Sequence, residues 1–116
     1  KPQPLYRSVV VPAAQAALLD DDDQRVRRWA AVLLKELKNP EALPDLRRAL
    51  EKDPDPGVRL QAVLALEAMQ DPEALPLIRA ALPKEELKEV RAAMEHALTS
   101  LSADAAEADG KAAKTN

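Results

Sequence analysis

The chain has no cysteine and no phenylalanine, one tyrosine, one tryptophan, one histidine and only two glycines among its 116 residues. Without cysteine there is no disulfide framework, no thiolate metal site and no cysteine nucleophile. With His96 alone, a metal site would have to be built from carboxylates and one imidazole. No apolar run approaches the roughly 18–20 residues that a bilayer-spanning helix needs. Positive charge is not in excess either. A net charge of −3 and a pI near 5.2 argue against an extended nucleic-acid surface, and aromatics to stack on bases make up only 2% of the chain.

What is present is mostly Leu, Ala and Val, within a hydrophobic fraction of 47%. These residues favour helices that pack closely through small side chains. The 10 prolines fall between apolar-periodic segments rather than inside them. The length fits one domain with a modest core. The chain starts at Lys1 rather than Met, which fits either a processed, exported mature form or a trimmed piece of a longer chain and leaves the compartment unassigned.

One stretch sets the phase of the rest. Asn39-Pro40-Glu41-Ala42-Leu43-Pro44 returns as Asp71-Pro72-Glu73-Ala74-Leu75-Pro76, 32 residues later. The same offset aligns Val26, Val58 and Val90; Arg27, Arg59 and Arg91; Leu34, Leu66 and Leu98; and Leu18, Leu50 and Leu82. A fixed period in this range is the signature of a solenoid. The repeated hexapeptide reads as punctuation, with prolines that end one helix and start the next.

The apolar spacing predicts helices over 12–19, 24–38, 41–52, 56–70, 73–82 and 85–101. Asp23 and Asp55 are placed to cap the second and fourth of these. Residues 1–11 read as a lead-in, either the remnant of an earlier helix or a flap over an uncapped first helix. Residues 102–116 lack apolar periodicity and read as a flexible polar tail. The expected organisation is a half repeat (12–19), two full repeats (24–52 and 56–82) and a terminal half repeat (85–101).

This pattern resembles HEAT-like repeats, in the short form also found in phycobilisome-lyase-type proteins. The residues that carry it are Asp53, Asp55, Val58-Arg59, Ala62, Leu66, Asp71-Pro72, Ala74-Leu75-Pro76 and Leu82, repeated as Asp21, Asp23, Val26-Arg27, Ala30, Leu34, Pro40, Ala42-Leu43-Pro44 and Leu50. It covers about residues 12–101. In the third copy Glu85 and Leu87 stand where the aspartates were, and the second helix is missing after Leu101. The resemblance implies an all-α, right-handed solenoid of antiparallel helix pairs, about 32 residues per repeat. It also implies a ladder between repeats, joining Asp21, Asp23, Asp53 and Asp55 with Arg27, Arg59 and Arg91.

No catalytic constellation appears, and no cofactor is expected. Some HEAT-like hydroxylases bind iron with repeated His-Glu pairs. Here Glu95-His96 is reversed and occurs once, so His96 reads as a surface or cap residue. Asp20-Asp21-Asp22-Asp23 lacks the alternating ligands, turn glycine and terminal glutamate of a calcium loop, and reads as a capped, solvated turn. A glycosylase-like DNA-binding role lacks the basic, aromatic groove it would need.

The expected function is therefore a non-catalytic protein-interaction or scaffold module, an accessory subunit that docks to a larger assembly. The alternative is a lyase- or hydroxylase-type protein handling a bilin or a metal. In HEAT-like solenoids the second helices line the concave face. That places Gln15, Arg47 and Arg79 in one row, with Arg48 and Leu77 beside it. Trp29 is a candidate contact residue or an edge-of-core anchor, and Leu60 a candidate outer contact. Tyr6 and Val9 belong to the N-terminal edge, where a solenoid without a cap exposes an apolar face.

Overall fold

Most of the helices begin where local chemistry supplies a start signal. The computed structural model describes residues 6–114, with side chains described for 8–103. The α-helices are α1 (Val11–Asp20), α2 (Gln24–Leu37), α3 (Leu43–Lys52), α4 (Pro56–Ala68), α5 (Ala74–Ala81) and α6 (Lys88–Lys114). Asp23 and Asp55 sit extended before α2 and α4 and accept the backbone N–H of Arg25 and Val58. Each thereby satisfies a donor that the first helical turn leaves without a partner. Proline occupies the first turn of α1, α3 and α4, where its missing N–H costs nothing. Single 3₁₀ turns, Pro40–Ala42 and Leu82–Lys84, precede α3 and follow α5.

The 32-residue period is kept in the backbone itself. α2, α4 and α6 start at Gln24, Pro56 and Lys88, and α1 and α3 at Val11 and Leu43. Lys38 and Gln70, also 32 apart, both adopt the left-handed conformation (φ 49° and 54°) that stops α2 and α4. Asn39 Oδ1 then accepts Glu41 N–H, as Asp71 Oδ1 accepts Glu73 N–H, and the chain turns into the next helix.

The helices form two layers. α2, α4 and α6 lie side by side in one, and α1, α3 and α5 in the other. The molecule is accordingly flat, with extents of 47 × 45 × 16 Å. Leu34, Leu46, Leu50, Leu66, Ile78 and Met94 fill the space between the layers and are essentially inaccessible to water. Burying each such side chain contributes about 1.5–3 kcal/mol before entropy is counted. α4 is central, with α2 and α6 on its flanks and α3 beneath it. That explains its nearly all-round apolar surface, including Leu60. This residue packs against the core and is not the outer contact expected of it.

Both ends depart from the sequence expectation. Residues 6–10 form a single π-helical turn that runs directly into α1. They extend that helix rather than folding back over it; Lys1 to Leu5 and the Tyr6 side chain lie outside the described residues. At the other end α6 does not stop at Leu101 but continues to Lys114. The reason lies in the third copy of the turn. Ser102-Ala103-Asp104 replaces Lys38-Asn39-Pro40 and Gln70-Asp71-Pro72, so neither the Asn/Asp cap nor the proline stop is there. The Ala-rich continuation is a good helix former.

Candidate interaction face

Two polar ladders cross the repeat boundaries. In the first, Arg27 donates from Nε and Nη2 to Asp53 at 2.9 and 3.2 Å, while Nη1 donates to the carbonyls of Asp21 and Asp22. Arg59 repeats this one period on. It grips Glu85 at 2.9 and 3.1 Å and the carbonyls of Asp53 and Pro54. Each guanidinium thus ties its own turn to the next. The carboxylates also brace their turns: Asp21, Asp53 and Glu85 accept the N–H two residues on, from Asp23, Asp55 and Leu87. Glu85 therefore takes over the aspartate's role in the third copy. Its carboxyl is held below the ordinary glutamate range, chiefly by the Arg59 hydrogen bonds.

Asp23 and Asp55 are not rungs of that ladder. They are caps, and each pairs with a neighbouring arginine instead: Asp23 with Arg25 and Asp55 with Arg28. Both carboxyls lie below the ordinary aspartate range, with the arginine hydrogen bond the main cause. Arg28 was missed from sequence. Its signal was Gly57, where an added Cβ would overlap the Arg28 guanidinium.

The second ladder involves the predicted concave row. Arg47 donates to Asp71 at 2.6 and 2.9 Å and pairs with Glu73 at 2.8 Å. Asp71 is otherwise buried, so this pair links α3 to the turn before α5. Gln15 makes the shorter version of the same link, to Asp45 Oδ2 and the Glu41 carbonyl. Of the expected row, Gln15 and Arg47 are engaged within the fold. Among the described residues, only Arg48 and Arg79 of that group have no hydrogen-bond or ion-pair partner. Leu77 is half-buried, packed against the core, and lines a groove of about 300 Å³ that also contains Arg59 and Glu85. His96 is at the surface, its Nδ1 2.9 Å from Glu67 Oε2.

The two ends of the stack are unlike. Val58 and Val90 are buried (0% and 2% exposed), as are Ala65 and Ala97 (both 0%). Their equivalents on α2, Val26 and Leu33, are only half-buried. The cause is positional: α4 has α2 beside it and α6 has α4, whereas α2 has no helix in that place among the described residues. Trp29, on the same side of α2, is 58% exposed, and Val9 is 59% exposed. Trp29 is therefore not an edge-of-core anchor.

The far side of α6 has a different character. Glu95 stands where Ala31 and Val63 are buried. Arg91 donates Nη1 to its own turn carbonyl at Glu85, as its counterparts do, but meets no carboxylate among the described residues. Conversely, no cation among the described residues pairs with Asp21. Among the described residues, the ladder thus ends in a carboxylate without a cation beside α2 and a guanidinium without a carboxylate on α6.

A comparison with curated proteins finds no similar sequence. The family model for HEAT repeats matches residues 11–99. Those residues span α1 to the buried part of α6, the two layers and both ladders, and the chain belongs to the HEAT repeat family.

Proposed function

We propose that this chain is a non-catalytic protein-interaction module, an accessory subunit that docks to a larger assembly through its N-terminal end face. HEAT repeats generally mediate protein–protein interaction, and the family is typically non-catalytic. The observation that carries the reading is the contrast at equivalent positions. Val26 and Leu33 are left half-buried where Val58, Val90, Ala65 and Ala97 are covered, with the exposed Trp29 beside them. A tryptophan next to an uncovered aliphatic stripe is the usual composition of an interface centre. Arg48 and Arg79, on the other layer and unpaired among the described residues, offer a secondary contact for acidic groups of the same partner.

The test is affinity capture with three forms of the full chain: the wild type, Trp29→Glu, and Thr99→Glu on the opposite end. The expected result is a stoichiometric partner retained by wild type and Thr99→Glu and lost with Trp29→Glu. Equal capture by all three contradicts the assignment of the face.

A further inference from the structure

The N-terminal face has the imprint of a specific kind of occupant. We infer that it receives an amphipathic helix from a partner protein. That helix carries an arginine in its first turns and small or branched apolar residues four and seven positions later. This rests on the reading of that face as a docking surface and adds the partner's chemistry.

The two helices that precede a neighbour in their layer, α2 before α4 and α4 before α6, carry the same three groups on one face, at i, i+4 and i+7. From α2 they are Arg27, Ala31 and Leu34; from α4 they are Arg59, Val63 and Leu66. The arginine reaches the carboxylate in the turn preceding the neighbour, at Asp53 or Glu85, while the two apolar residues go to zero exposure. The turn preceding α2 holds the equivalent carboxylate, Asp21. Its Oδ1 is already oriented by Asp23 N–H, as in the other two copies. Next to it lies the stripe of Val26, Trp29 and Leu33. Asp20 and Asp22 add negative charge to the same edge without an ion-pair partner among the described residues, so the edge favours a cationic group. A bidentate guanidinium fits such a carboxylate better than an ammonium does.

A second copy of this chain is the poorer occupant. Its α6 offers Arg91 and Leu98 at the correct spacing, but Glu95 at the middle position. Docked there, Glu95 would lie against Val26 and Leu33, a buried carboxylate without a cation. The occupant is therefore a helix with Ala or Val at that place.

Trp29 provides the readout, because it is the only tryptophan and lies on the face itself. The probe is a hydrocarbon-stapled, tryptophan-free helical peptide with the Arg-x-x-x-Val-x-x-Leu spacing of Arg59, Val63 and Leu66. Added to the full chain, it is expected to shift Trp29 emission to shorter wavelength in a saturable way. Replacing the peptide arginine by alanine is expected to weaken binding about tenfold, the scale of one charge-assisted bidentate contact. Asp21→Asn in the protein is expected to do the same, with no further loss when both changes are combined. Loss of tenfold affinity twice over in the combination would overturn the pairing. So would a Glu-for-Val peptide that binds as well as the original. Concentration-dependent dimerisation of the chain alone, abolished by Arg91→Ala, would overturn the choice of occupant. If Trp29→Glu releases a captured partner while Asp21→Asn does not, the docking face stands and the arginine inference falls.

Discussion

Replacing Arg59 by methionine should cost the fold about 3 kcal/mol. The Glu85 side chain is only 2% exposed and receives two of its hydrogen bonds from Arg59, whose own side chain is 22% exposed. Removing one partner of a buried ion pair leaves an uncompensated charge, at about 3–5 kcal/mol; partial access of water at Arg59 argues for the low end. The Asp53 and Pro54 carbonyls lose their donor as well, while methionine keeps most of the arginine's apolar stem in place. Urea unfolding followed by far-UV circular dichroism measures the loss. With a slope of about 1.5 kcal/mol per molar, typical of a small protein, the midpoint should fall by roughly 2 M. Hydrogen exchange should speed up first in α6, because Arg59 ties the third repeat to the second and repeat stability is carried by nearest-neighbour interfaces. Replacing both partners, Arg59→Met with Glu85→Leu, should be less damaging than Arg59→Met alone. Arg25→Ala is the control, since its pair with Asp23 is largely exposed and its loss should be undetectable. If Arg59→Met moves the midpoint no more than Arg25→Ala, the ladder is surface decoration and the reasoning fails.

Three further outcomes follow from the same geometry. Glu85 has its carboxyl depressed in the folded state, so the unfolded chain binds the proton more readily; its contribution is present above the ordinary glutamate value of about 4.3 and is lost as pH falls below it. Acid titration of stability should therefore be flatter in Glu85→Gln than in wild type over that window. Lys38→Gly should stabilise by about 0.5–1 kcal/mol, because glycine adopts the left-handed conformation at the end of α2 without the Cβ penalty; thermal unfolding reports it. Leu66→Ala should cost about 2–5 kcal/mol, whereas Trp29→Ser should stay within about 0.5 kcal/mol, since Leu66 is fully buried and Trp29 mostly exposed; the same urea series separates them.

The fold was legible because the period is carried by residues with strong local meaning. Asp23, Asp55, Pro40 and Pro72 each act on the backbone within a few residues of themselves, so their spacing transfers directly to helix boundaries. The end of α6 is not legible in the sequence because absence of apolar periodicity is not absence of helix, and nothing in Ser102-Ala103 stops one. Of the ladder, the arginines and Asp53 are visible in the sequence, whereas Glu85 stands there only as a departure from the aspartates and its role emerges in the fold. The pairing of the concave row is hidden in the sequence for a similar reason. Arg47 looks like free charge in the sequence, and only the fold brings Asp71, 24 residues later, within 2.6 Å of it. Likewise, Trp29 is on the edge of an apolar stripe by periodicity, but whether that stripe is covered depends on which helix lies beside it.

Because the chain has no cysteine, single introduced cysteines give a clean map of what becomes covered. The most direct test of the docking face is the maleimide-labelling rate of Trp29→Cys and Thr99→Cys, free and within the assembly recovered with the chain. Labelling should slow on assembly at position 29 and be unchanged at position 99. Slowing confined to position 99, or unchanged labelling at position 29, would contradict it.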